Sequence, residues 1–271
     1  MTTHLKRAKG LSCLCLLVFF NVAFVNNTIK AQAANKRLPT EDDKKSLEGV
    51  IVEKYYVVTA ADMKDTLGGK LANGSITYRI YLDLKPGYAV MAVFGSPEHA
   101  LHISTTTEFF NNTDGGSRTG DQIKNKKINS STVALDSWVT IGFATDSLFG
   151  VPKTEDKDGS IIKRTSLNKE DGLLKGRIIH PVVYIGDDFN FFYNQNNASS
   201  FKTDNASWAV LGGMKGVTDD NKVLIAQLTT NGKLSFELNA MIGSPTGVMM
   251  QFVAKNPQDS EVQFNGLSSK Q

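Results

Sequence analysis

From Ile76 to Leu84 apolar and polar side chains alternate without a break. Ile76, Tyr78, Ile80, Leu82 and Leu84 fall on one side, and Thr77, Arg79, Tyr81 and Asp83 on the other. Period two is the signature of a strand with one buried face, because successive side chains of an extended chain point to opposite sides. Such a strand is not stable alone; it needs neighbours and a layer under its apolar face. The rest of the sequence supplies them. Short runs rich in Val, Ile, Phe and Tyr occur at Val50–Val58, Tyr88–Phe94, Leu101–Thr106, Val133–Phe143, Arg177–Ile185, Phe189–Tyr193, Ser207–Leu211, Val223–Leu228, Leu234–Ala240 and Val248–Ala254, separated by Gly, Asn, Asp and Pro. No long amphipathic helix is visible. This pattern predicts an all-β fold, an antiparallel β-sandwich with long surface loops and little helix. A partial echo between Ser137–Gly142 and Ser207–Gly212, each around one of the 2 tryptophans, allows two related sandwich lobes. Both tryptophans are assigned to the core.

Two turns invite hairpins. Lys85-Pro86-Gly87 joins Ile76–Leu84 to Tyr88–Phe94, with proline fixing φ and glycine tolerating φ > 0. Asn231-Gly232 would join Val223–Leu228 to Leu234–Ala240. A three-residue loop, Thr230 to Gly232 with Gly232 left-handed, sets Leu234, Phe236 and Leu238 across from Leu228, Ala226 and Leu224, an all-apolar match. The polar stretch Asn111–Ser131 reads as a long surface loop, and the charged stretch 152–176 as a linker or excursion, a point where the domain 48–256 would subdivide.

The N-terminus addresses the compartment. Lys6, Arg7 and Lys9 precede the apolar run Leu11–Val25, and Ala31-Gln32-Ala33 gives the small-x-small pattern of a cleavage site. That order predicts a secretory signal over 1–33, followed by a flexible leader over 34–47, with a polar tail over 257–271. The apolar run is too short and mixed to favour a transmembrane helix. Both cysteines, Cys13 and Cys15, fall inside the signal, so the remaining chain relies on packing rather than cross-links. Removing residues 1–33 takes four bases and no acid, and leaves 26 bases against 27 acids. A near-neutral chain gives no footprint for nucleic acid or an anionic membrane. The expected location is secreted or on the cell surface.

Four patterns could carry chemistry. Glu155, Asp156 and Asp158 form an acidic turn before Gly159, and alternate carboxylates followed by glycine can wrap a hard cation such as calcium. The full calcium loop wants a further acid where this chain has Leu167, and the alternative is a solvated acidic turn. His99 and His102 lie three apart beside Pro97 on an apparent strand, where odd spacing separates them, so they read as one exposed and one partly buried histidine rather than a zinc pair. Nucleophile elbows, phosphate loops and dinucleotide fingerprints are absent. Aromatic rings that could stack on sugars include Phe109, Phe110 and Tyr81; Tyr81 shares the polar face of its strand with Arg79 and is expected to be exposed.

Thr77–Leu84, Leu135–Gly142 and Val223–Gly232 together resemble an uncharacterised exported β-rich module of Bacteroidota surface and secreted proteins. The resemblance runs from about 50 to 256. It implies location and architecture, and transfers no catalytic residue. In larger relatives such modules stand beside a C-terminal sorting domain, for which no room is visible here. The expected function is non-enzymatic binding or adhesion, with a glycan, matrix or envelope protein as partner. The alternative is a secreted polysaccharide hydrolase with a site built from scattered carboxylates.

Overall fold

The computed structural model describes residues 38–157, 160–163, 171–176, 181–186, 192 and 198–270. The expected signal segment, residues 34–37 of the leader, His180, Asp158 and all of Phe189–Tyr193 but Phe192 lie outside them. Pro39–Gln271 forms one compact unit.

That unit is all-β. Among the described residues, sixteen strands and short 3₁₀ turns make up the regular structure, with no α-helix. Sheet I has the order β1 (Leu47–Val57), β2 (Ile76–Leu84), β11 (Lys222–Thr230), β5 (Trp138–Val139). Sheet II runs β15 (Val262–Gln263), β14 (Met249–Val253), β13 (Asn239–Gly243), β3 (Ala89–Phe94), β10 (Ser207–Met214), β8 (Val182–Ile185). Sheet III runs β16 (Ser268–Lys270), β12 (Leu234–Glu237), β4 (Leu101–Thr105), β9 (Ser200–Thr203), and β6 (Leu148–Gly150) pairs with β7 (Leu173–Lys175). Among the described strands pairing is antiparallel except between β14 and β15.

The alternating strand appears as β2 with the expected ends, and it is buried on both faces. Its apolar side, Tyr78, Ile80, Leu82 and Leu84, joins Val90, Trp208 and Phe252 of sheet II and Ile103, Phe201 and Phe236 of sheet III in the main core. Its other side lies under a second core of Tyr55, Tyr81, Ile123, Ile128, Leu135, Trp138, Leu148 and Leu173. The long loop expected at Asn111–Ser131 builds that second layer. Its Ile123 and Ile128 are buried, as are Asn111 and Asn112. Both tryptophans are buried as expected, Trp138 in the second core and Trp208 in the main one.

Neither expected hairpin forms. β2 pairs with β1 and β11, and β3 with β10 and β13, so Lys85-Pro86-Gly87 carries the chain from sheet I to sheet II. The turn itself is as predicted, with Gly87 at φ 89° and Tyr88 N–H donating to Lys85 O. Likewise β11 ends in sheet I and β12 begins in sheet III, so the Asn231-Gly232 register has no counterpart, and Gly232 is absent from the positive-φ residues. The reason is the same at both corners. β2 and β11 take each other as neighbours, and a strand flanked on both edges has none left for its successor.

Four further expectations are corrected. Val133–Phe143 is a 3₁₀ turn (Val133–Leu135) followed by the two-residue β5. Leu234–Ala240 breaks into β12 and β13, which join different sheets. Residues 38–47 are not a flexible leader. Thr40 and Asp43 cap each other reciprocally (Thr40 N–H to Asp43 Oδ2 2.8 Å, Asp43 N–H to Thr40 Oγ1 3.1 Å), and Tyr88 Oη donates to Asp43 Oδ1 at 2.9 Å. Residues 257–270 are not a free tail either: β15 and β16 extend two sheets, and Leu267 is fully buried. The charged stretch 152–176 is tied back where β7 pairs with β6.

Candidate functional site

Arg79 and Tyr81 are not surface residues. They are 1% and 0% exposed, and the expectation that Tyr81 presents its ring to solvent is overturned. β2 sends both to the side opposite its apolar row, as the alternation requires, but the second layer covers that side. Arg79 sits in a polar row running across sheet I. Its Nε donates to Gln227 Oε1 at 2.9 Å and its Nη1 to Gly172 O at 2.9 Å, with the guanidinium 3.5 Å over the Tyr55 ring. Gln227 passes the row on, donating to the carbonyls of Ala134 and Asp136. Tyr81 Oη donates to Glu53 Oε2 at 3.3 Å, and Thr77 and Thr229 bond at 2.7 Å. Burial pushes the Tyr81 and Tyr55 phenols well up. A charge removed from water needs this density of partners. The row welds the excursion to the sheet and offers no face to a ligand.

The acidic turn divides its carboxylates between different partners. Glu155 Oε1 accepts from Lys222 Nζ at 2.5 Å and Glu155 Oε2 from Thr218 Oγ1 at 2.5 Å, while Asp156 turns inward to accept from Gly172 N–H at 2.9 Å. Among the described residues no group of three or more His, Cys, Asp or Glu is arranged to hold a metal ion. The partner of Asp156 is Asp171, which spacing gave no reason to single out. Asp171 is fully buried; its Oδ2 accepts from Ile161 and Ile162 N–H, and its carbonyl accepts from Tyr55 Oη at 2.6 Å. Burial, opposed by those amides and reinforced by Asp156, raises the Asp171 carboxyl to about 6. Asp136 was missed too. It accepts from Asn112 N–H at 2.6 Å and Ser117 N–H at 2.8 Å, and burial holds its carboxyl well above the ordinary range.

The histidines find separate partners as the odd spacing requires, but neither is exposed. His99 is buried against Glu261, Nε2 to Oε2 2.7 Å, whereas the half-buried His102 contacts Ser200 Oγ at 2.9 Å.

Phe109 and Phe110 remain. Beyond the end of β4 the chain runs beside β11, with Phe109 N–H donating to Ala198 O at 2.9 Å and Phe110 N–H to Thr229 O at 2.8 Å. The extended backbone sends the two rings opposite ways. Phe109 is buried in the main core, and Phe110 is half-buried against the second. Phe110 lines an open cleft of about 510 Å³. Thr229, Thr230 and Asn231 and the segment Thr107–Asn111 form part of its wall, with Gly69, Lys70, Ala72 and Ser75 from the loop before β2. Gly69 takes φ 120° beside the Phe110 ring, where even a Cβ would lie 3.3 Å from Cε2. Ser75, Asn111, Thr229 and Thr230 are buried, so the cleft offers the half-buried Phe110 ring with the exposed Thr107, Asn231, Lys70 and Glu108. No family model, curated protein or solved structure matches the chain.

Proposed function

We propose that the protein is a non-enzymatic binding module of the cell exterior that takes a glycan in the Phe110 cleft. The observation that carries this is the lining. A half-buried aromatic ring is set with the exposed Thr107 and Asn231 in an open cleft of about 510 Å³, a size that suits one or two sugar rings. Sugars present apolar C–H faces to rings and hydroxyls to amides and alcohols, and this surface carries both halves of that chemistry. Asp156 and Asp171 form a buried, hydrogen-bonded carboxyl pair under Tyr55, and neither lines this cleft. That supports binding over hydrolysis. Calorimetry against a panel of neutral oligosaccharides tests the reading. Phe110→Ala should weaken binding at least tenfold in protein that still melts cooperatively, and EDTA should leave wild-type binding unaltered. Wild-type protein that binds no oligosaccharide in the panel would sink it.

A further inference from the structure

The loop Asn111–Ser131 holds a second concavity, of about 490 Å³, lined by residues of 114–118 with Gln122, Lys124 and Lys127. Its walls are fixed. Buried Asp136 grips the amides of Asn112 and Ser117, and Asn112 Oδ1 accepts from Asp114 N–H at 3.0 Å and Gly115 N–H at 2.9 Å. Gly116 is obligatory there, because a Cβ would collide with Asn112 O and the Asp136 carboxylate. The opposite wall, two 3₁₀ turns over Gly120–Gln122 and Asn125–Lys127, is held by buried Ile123 and Ile128, with Asn125 N–H donating to Asp146 Oδ1 at 3.0 Å.

The cations in this wall are poorly neutralised. Lys85, Lys222, Lys44 and Lys255 meet their carboxylates at 2.5, 2.5, 2.7 and 2.8 Å. Lys124 stands 3.6 Å from Asp146 and Lys127 3.8 Å from Asp114, both beyond hydrogen-bond reach. Arg118 makes no ion pair among the described residues and lies 5.4 Å over the Tyr184 ring. Three cations against the two loosely held aspartates Asp114 and Asp146, on walls fixed by buried groups, is an arrangement that gains by receiving an oxyanion. Beyond residue 33 the chain is close to neutral, so this charge is local and lacks the extended basic face that a nucleic-acid backbone needs.

We propose that Arg118, Lys124 and Lys127 form an anion subsite for an acidic saccharide, one carrying sulfate or carboxylate. The proposal rests on the glycan reading for the class of ligand and uses a separate set of residues. Binding of a heparin-derived tetrasaccharide, tetragalacturonate and a neutral tetrasaccharide at low and moderate salt tests it. Wild-type protein should bind at least one acidic probe, more weakly as salt rises. Lys124→Glu/Lys127→Glu should weaken that binding at least tenfold. The control Lys202→Glu/Lys233→Glu, with the same charge change at exposed positions elsewhere, should stay within twofold. Preference for one acidic probe names the anion. Absence of acidic binding in wild-type protein, or an equal loss in the control, overturns the subsite. Loss of neutral binding alone in Phe110→Ala, or no neutral binding at all, bears only on the other cleft.

Discussion

Two residues show how burial sets behaviour here. Asp171 has a carboxyl raised to about 6 from an ordinary 3.8, chiefly by desolvation. A carboxyl raised on folding binds its proton more tightly in the folded state. Its stabilising protonation is complete below the unfolded value and is lost as pH rises through the folded one. Asp136, also raised by burial, pushes the same way. The melting temperature of the wild type should therefore fall between about pH 4 and 6, and Asp171→Asn should flatten that fall, as read by differential scanning fluorimetry across pH. An unchanged slope in the variant would assign the pH dependence elsewhere. Gly232 is the second case. Its Cβ would collide with Thr105 Oγ1 and lie 2.6 Å from Thr107 Oγ1, so Gly232→Ala should destabilise by about 1–3 kcal/mol in urea unfolding through overpacking. The sequence suggested the same sign for a different reason, a left-handed backbone that the residue does not adopt.

At the scale of the element, β2 is the most instructive. Its ends and the partition of its two faces were legible, because period-two alternation is a local property. Its exposure was not, because what covers Thr77, Arg79 and Tyr81 comes from residues such as Leu135 and Leu173, far along the chain. Alternation tells which side chains share a face, and it is silent on whether a second layer arrives. The hairpins failed for the same kind of reason: turn chemistry at Gly87 was readable, but strand pairing is decided by whichever strand competes best for an edge. Of the candidate site, Phe109 and Phe110 could be named from composition, while Asp136 and Asp171 became visible only through their partners. Arg79→Ala is the test at this scale. It removes donors from Gln227 Oε1 and Gly172 O inside the fold, and should cost about 3–5 kcal/mol by denaturant titration, with the spectrum still all-β.

At the scale of the molecule, Pro39–Gln271 behaves as a unit whose last residues are structural. Leu267 is fully buried and β16 closes an edge of sheet III, so Leu267→Ala should cost about 2–5 kcal/mol in the same titration. A variant as stable as wild type would return the end of the chain to the free tail its composition suggested. The two corners that replace hairpins have a kinetic consequence. With β2 paired to β11, Thr77 meets Thr229 across 152 residues of sequence, and sheet I cannot close until most of the chain is present and searching. Contacts of such separation are won against loop-closure entropy, which places refolding in the millisecond-to-second range typical of non-local β proteins or slower. A nascent chain holding only β1 to β4 would have the apolar row of β2 without its strand partner on one edge. It should stay unfolded until β11 emerged.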